Sequence, residues 1–409
     1  MSDERPLSLF SAFGVELEYM IVDAQSLSVR AIADELLCGT SGDLSGEVDR
    51  GEICWSNELV AHVVELKVGQ PASALEPLPA QFQTNIQEIN SILSKSGARL
   101  MPAGMHPWMD PEHETRLWPH AYGEVYQAFD RIFGCRGHGW ANLQSAHLNL
   151  PFADDAEFAR LHAAIRLVLP ILPALAASSP VVEGRITGLL DNRLEVYRMN
   201  SRKIASVAGR VIPEPAFSRA EYDQQILEPL YAEIAPHDPA GVLRNEWLNA
   251  RGAIARFSRN TIEIRVLDVQ ECPLADLAIC AAAVAVLKAL VAERWTSLAL
   301  QKAAAVEPLA SILLTSIRNA DEAVIYDREY LELFGYPGES CTASELWGHL
   351  IESLPDLSGL SSPWREPLAV IQDEGPLARR IVSALETNDL PDVYDELCRC
   401  LKQGEMFRA

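Results

Sequence analysis

Apolar and polar residues alternate from residue 13 to 23, which places Phe13, Val15, Leu17, Tyr19 and Ile21 on one face of a predicted strand and Glu16, Glu18 and Met20 on the other. Two carboxylates therefore project side by side from the face opposite the apolar one. A second strand is predicted over residues 59–68, closed by Gly69 and Pro71, and a helix from 74 to about 96. The glycine-containing run CRGHGW leads into a short alternating segment at 145–150, and a proline-bounded helix follows from 155 to 178. Beyond an arginine-rich loop region, residues 260–268 alternate again. An alanine-rich helix is expected over 274–294, and residues 307–409 read as several amphipathic helices.

Strands and helices that do not alternate regularly point to an α+β fold with mostly antiparallel strands. The change to an all-helical pattern, with a shift in charge, sets a boundary near residue 300. It separates a larger domain (1–300) from a helical C-terminal region (301–409) packed on it. No internal repeat or low-complexity stretch interrupts either part.

A chain of 409 residues, 48% of them hydrophobic, is long enough for a large core. Its apolar runs at 165–177, interrupted by Pro170 and Pro173, and at 277–291, carrying Lys288, fall short of the roughly 20 apolar residues that span a bilayer. Buried helices are expected there. The N-terminal residues are acidic where a secretory signal needs positive charge, and the eight cysteines form no CxxC pair. A cytoplasmic protein with reduced thiols is the expectation. The net charge of −23 argues against nucleic-acid and anionic-membrane partners. Residues 185–265 nevertheless hold 12 Lys or Arg against 10 Asp or Glu, whereas the last 109 residues hold 9 against 19, so an anionic small molecule is expected in the central region.

The alternation at 260–268 puts Thr261, Glu263 and Arg265 on one face. A lone Glu-x-Arg is ordinarily a surface ion pair; here it keeps company. Glu16 and Glu18 repel each other unless a proton or cation sits between them, and His147 and Asn149 share a face of SAHLNLPF. Paired in one sheet, these strands present a polar surface of hard oxygen donors, which suits Mg2+ or Mn2+ better than zinc. A bound cation inverts the acidic field and admits ATP. His147 reads as a ligand, a nucleotide contact or a packed strand residue, the last being the commonest place for a histidine. HETRL at His113 lacks the second histidine of a zinc-protease motif, and neither GxxxxGK[ST] nor GxGxxG occurs, which argues against P-loop and Rossmann enzymes.

Five segments together carry a family resemblance. GVELEYMIVD, NELVAHVVELKVG, NLQSAHLNLPF, LAASSPVVEGRITGLLDNR and RGAIARFSRNTIEIRVLDVQ resemble, in order, motifs of the glutamate-cysteine ligase family 2, whose catalytic domain is related to that of glutamine synthetase. The resemblance covers roughly residues 13 to 290. It implies a curved, mainly antiparallel sheet with surrounding helices, forming a catalytic ligase domain within residues 1–300. It further implies ATP, Mg2+ or Mn2+, and a metal and phosphate shell of Glu16, Glu18, Glu58, Glu65, His147 and Glu263. By the same resemblance Arg265 and Arg193 are catalytic, holding phosphate or substrate carboxylate, and Asn149, Arg202 and Arg256 meet substrate or nucleotide. Glu58 and Glu65 lie an odd number of residues apart, so one uninterrupted strand would send them to opposite faces. Either a bulge intervenes or only one of them is a ligand.

The implied activity is an ATP-dependent carboxylate-amine ligase, with glutamate as carboxylate and cysteine or another small amine as acceptor, in the manner of glutathione biosynthesis. A guanidino-kinase-like phosphotransferase and a non-catalytic metal- or nucleotide-binding protein are the alternatives. A homo-oligomer is compatible with the helical C-terminal region.

Overall fold

The computed structural model describes residues 6–37, 46–359 and 361–409. Its centre is an eight-stranded sheet of β1 (Gly14–Asp23), β2 (Glu47–Asp49), β3 (Ile53–Asn57), β4 (Val63–Val68), β5 (Ala98–Met101), β6 (Ser145–Pro151), β7 (Ala253–Arg256) and β8 (Thr261–Asp268). The order is β2-β3-β4-β1-β6-β8-β7, with β5 paired to the distal end of β1, and every pairing is antiparallel. The alternation in β1 has the effect its pattern predicts: Val15, Leu17, Tyr19 and Ile21 are fully buried in the main core. That face packs against α1 (Leu78–Leu93), α2 (Asp155–Val168) and α3 (Pro273–Val291), which supply Phe82, Ile86, Phe158, Ile165, Leu277 and Val284 to the same core. The opposite face of β1 carries the carboxylates.

Helix α3 is apolar all round, as a fully enclosed helix is. Its length would suit a membrane span, but 83% of its most apolar stretch is buried inside the fold. The expected buried helix is what forms. The helix foreseen at 155–178 is broken into α2, a 3-10 turn at Leu169–Ile171 and a short helix at Pro173–Ala176, because Pro170 and Pro173 cannot donate to the preceding turn.

Two differences from the sequence reading bear on the site. The strand foreseen at 59–68 begins only at Val63, and an unforeseen strand, β3, precedes it. Glu58 therefore leads into the turn between two antiparallel strands, which resolves the parity conflict with Glu65 without a bulge. In addition, the arginine-rich stretch before residue 260 contains β7, too short for periodicity to reveal.

Beyond residue 300 the chain adds helices, among them α4 (Val306–Asn319), α5 (Ala343–Ser353), α6 (Arg365–Glu374), α7 (Leu377–Ala384) and α8 (Leu390–Gln403), and the two-residue strands Val324–Ile325 and Cys341–Thr342. Leu313, Trp347 and Leu350 join the main core, while Leu377, Ile381, Tyr394 and Leu397 form a second core with Met20, Val22 and Met101 of the sheet. Hydrogen bonds from Tyr330 Oη to the Leu167 carbonyl (2.7 Å) and from Trp347 Nε1 to that of Ile171 (2.8 Å) tie these helices down. So does a fully buried pair, Arg380 with Glu271.

Candidate active site

Strand register assembles the polar face. Glu16 stands opposite Lys67 on one side and His147 on the other; Glu18 stands opposite Glu65, which in turn faces Ser56; Asn149 lies between Gly14 and Glu263. Between Ile264 and Leu267 the β6–β8 register slips by one residue, a bulge that holds Arg265 and Val266. Because of it Glu263 and Asp268, an odd number of residues apart, face Asn149 and Ser145 on the same side of β6.

The side chains interlock. His147 Nδ1 is 3.0 Å from Glu16 Oε2 and 4.0 Å from Glu263 Oε1, and its Nε2 is 3.0 Å from Ser145 Oγ and 3.8 Å from Glu18 Oε1. Ser145 donates to Glu18 Oε2 from its backbone N–H (2.8 Å) and its hydroxyl (2.9 Å). Asn149 Nδ2 donates to Glu16 Oε1 at 3.2 Å, and Ser56 Oγ to Glu65 Oε1 at 2.5 Å. Lys67 Nζ lies 3.6 Å from Glu65 and 2.7 Å from Glu47. Glu263 is gripped from both sides: Arg256 donates to Oε2 at 3.0 Å, and Arg265 Nε stands 3.0 Å from Oε1 without hydrogen-bond alignment.

Charge distributes unevenly over these groups. Burial works against ionising Glu16, but the hydrogen bond and charge of His147, with Lys67 and Arg265, bring its pKa down to about 2. Burial, then the neighbouring carboxylates of Glu18, Glu65 and Glu16, push Glu58 well above the usual carboxylate range. Burial and Glu16 push Glu65 up to about 7. Burial also disfavours a charged His147, yet Glu16 and Glu18 outweigh it and raise its pKa. Protons and cationic side chains thus neutralise a cluster with more carboxylates than it can ionise.

That excess is what a metal ion would relieve. Glu16, Glu65 and His147 each bring a donor atom within 4.8 Å of the others, as do Glu18, Glu58 and Glu65, with Glu65 common to both groups. Carboxylate oxygens with one imidazole fit a hard divalent cation.

Two cavities meet at this cluster. The larger, of about 600 Å³, is lined by Glu16, Glu65, Lys67, Arg256, Arg259 and Arg265 among others. The smaller, of about 300 Å³, is lined by Tyr126, Phe129, Trp140, Trp247, Arg193 and Tyr197 among others. Glu18, Glu58, His147 and Arg265 line both and form a shared wall.

Of the residues foreseen from sequence, Glu16, Glu18, Glu58, Glu65, His147, Asn149, Arg256, Glu263 and Arg265 converge here. Arg193 lines the smaller cavity, with its guanidinium 3.4 Å from Asp268 and donating to the Arg265 carbonyl at 2.9 Å. It braces the bulge that carries Arg265. Arg202 does not join them: its helix ends at Asn200, and the turn that follows carries it to the surface, outside the lining of either cavity. Sequence reasoning missed Lys67, although ELK in β4 repeats the carboxylate-x-cation spacing of EIR in β8. It also missed Arg259 and the aromatic wall, whose members come from separate segments with no local pattern.

A sequence profile of glutamate-cysteine ligase family 2 (GCS2) matches residues 12–323. An uncharacterised protein of Archaeoglobus fulgidus is 34% identical over 400 residues, covering 96% of this chain and 99% of that protein. A Bradyrhizobium sp. (strain ORS 278) protein with the provisional name glutamate--cysteine ligase 2 is 28% identical over 289 residues, 65% of this chain and 61% of its own length. The glutamate--cysteine ligase of Francisella tularensis, solved in complex with AMP, superimposes with a TM-score of 0.59 at 11% identity, covering 98% of this chain and 90% of that one. That likeness is one of fold. The matching profile spans all eight strands and the helices that cover them, and the chain belongs to glutamate-cysteine ligase family 2.

Proposed function

We propose that this protein is an ATP-dependent carboxylate-amine ligase that takes glutamate as its carboxylate substrate and forms an amide through an acyl phosphate. The observation that carries the reading is the carboxylate-rich wall shared by two cavities. The larger cavity, with Lys67, Arg256, Arg259 and Arg265 on its lining, suits a triphosphate. The smaller has room for a second substrate on the other side of the same wall.

A carboxylate does not acylate an amine directly, because oxide is a poor leaving group. Attack of a carboxylate oxygen on the γ-phosphorus of ATP forms an acyl phosphate and expels ADP. Attack of the amine nitrogen on the acyl carbon then forms the C–N bond and expels phosphate, the amine's proton passing to a carboxylate of the shared wall. Arg265 reaches both cavities, and its planar guanidinium holds two oxygens of the transferring group. Arg193 acts through Arg265, by holding its backbone carbonyl. Glu16, Glu18, Glu58, Glu65, His147 and Glu263 would hold Mg2+ or Mn2+, which supplies charge neutralisation for the phosphates.

Phosphate release from ATP with Mg2+ and glutamate, with and without an amine, tests the reading when combined with mass spectrometry of the product. Amine-dependent release with a new amide is expected, and Glu263→Gln should abolish it. A phosphorylated product without amide would replace the reading with a phosphotransferase. ATP binding with no substrate-stimulated release across a panel of carboxylates and amines would replace it with a non-catalytic binder.

A further inference from the structure

Away from the carboxylates, the smaller cavity is walled by rings from three separate segments: Tyr126 and Phe129 of the helix Gly123–Phe133, Trp140 of the short helix His138–Ala141, and Trp247. Phe129 stands at the centre, its ring centroid 5.2 Å from that of Trp140 and 5.8 Å from that of Trp247. All four residues are half-buried. The wall is held in place. Trp140 Nε1 donates to the Asn200 carbonyl at 3.3 Å, and Asn200 Nδ2 donates back to the Gly139 carbonyl at 2.8 Å. Gly139 is required for this approach, because a Cβ there would stand 2.7 Å from Asn200 Cβ and 2.9 Å from the Val196 carbonyl oxygen. Leu143, Val207 and Leu248 extend the apolar lining.

A concave apolar surface lined by half-buried rings gains stability when a ligand covers what is left exposed. The opposite side of the cavity is polar. Glu18 and Glu58 line it, so a hydrogen-bond-donating nitrogen finds acceptor oxygens at the shared wall, while a carboxylate finds cations only at Arg193 and Arg265. A molecule with an amine at one end and a planar apolar body at the other satisfies both sides at once. Cysteine, with one sulfur beyond its Cβ, would leave most of the rings uncovered.

We propose that the smaller cavity seats the acceptor amine and selects an amine with an aromatic or comparably bulky apolar body over small polar amines such as cysteine. This rests on the ligase reading above. Two measurements keep the two ideas apart. In the first, amide formation from ATP, Mg2+ and glutamate is followed with 2-phenylethylamine, ethylamine and cysteine. The unmodified protein should favour 2-phenylethylamine by about tenfold or more in kcat/KM, within the range that extra apolar contact in a pocket provides. Trp247→Ala and Phe129→Ala should bring the ratio toward one, chiefly through KM. Equal use of the three amines, or preference for cysteine, overturns the proposal.

In the second, the same amines are titrated calorimetrically into the full-length protein. If no amine supports phosphate release, the ligase reading fails, and binding alone decides. Tighter binding of 2-phenylethylamine than of cysteine, weakened in Trp247→Ala, sustains the aromatic-amine site. Equal or undetectable binding of both overturns it.

Discussion

Glu16 and His147 stand opposite each other on neighbouring strands and meet at 3.0 Å, a contact that lowers the pKa of the carboxylate and favours a proton on the imidazole. A divalent cation entering this group competes with that proton, which ties metal affinity to Glu16 directly.

Glu16→Gln removes a charge that both His147 and a metal ion use. The Mg2+ concentration for half-maximal activity should rise by about tenfold or more, within the range seen when groups of a metal site are removed. Phosphate release across a Mg2+ titration checks this. An unchanged midpoint would remove Glu16 from the metal shell.

Arg265 lines both cavities and contacts Glu263. If it stabilises charge on the transferring phosphoryl group, Arg265→Ala should lower kcat by about 10²–10³, the effect typical of deleting one such donor. ATP affinity, measured separately by calorimetry, should fall far less. Matched losses in the two would make Arg265 a nucleotide-binding residue only.

Arg193 and Asp268 are both fully enclosed, and Asp268 also accepts from the Ser178 backbone N–H and Ser179 Oγ. Arg193→Met leaves that carboxylate without its cation, and breaking a buried pair from one side costs about 3–5 kcal/mol. Chemical unfolding should show the loss. An unchanged midpoint would mean that the serines alone satisfy Asp268, and Arg193 would no longer count as the brace of the bulge.

Three buried histidines set an acid limit. Burial, opposed by a hydrogen bond to the Ala141 carbonyl, brings His62 to about 4, burial likewise brings His106 to about 4, and burial with the charge of Arg166 brings His162 to about 3. Each folded pKa lies below the unfolded value of 6.5. Between the two, the unfolded chain binds a proton that the folded protein refuses. Stability is therefore full above about pH 6.5 and falls as the pH drops toward 4 and then 3, at about 1.4 kcal/mol per pH unit for each group. Urea midpoints from pH 7 to 4.5 should follow this slope. His162→Phe, beside Phe158 at 5.2 Å, should flatten it; an equally steep slope in that variant would exclude His162 as a source.

Legibility from sequence followed element length. Strands β1 and β8 run for ten and eight residues, long enough for alternation to show which side chains share a face. Glu16, Glu18, Glu263 and Arg265 were readable on that basis alone. Strands of three or four residues such as β2, β5 and β7 carry no usable period. All five residues of β3 are buried, so no alternation marked it and it went unforeseen, while the strand foreseen at 59–68 took in the turn before β4. The aromatic wall was beyond reach for another reason: Phe129, Trp140 and Trp247 become neighbours only through tertiary packing.

The bulge at Arg265 and Val266 gives β8 an unusual sensitivity. Its outward side chains can be exchanged one at a time with local effect, but straightening the strand with every residue kept would carry Asp268 to the opposite face, away from Arg193, while Glu263 stayed in place. The ionic anchor behind the site would separate from the carboxylate in front of it. For anyone engineering this strand, its register slip is therefore a harder constraint than its composition.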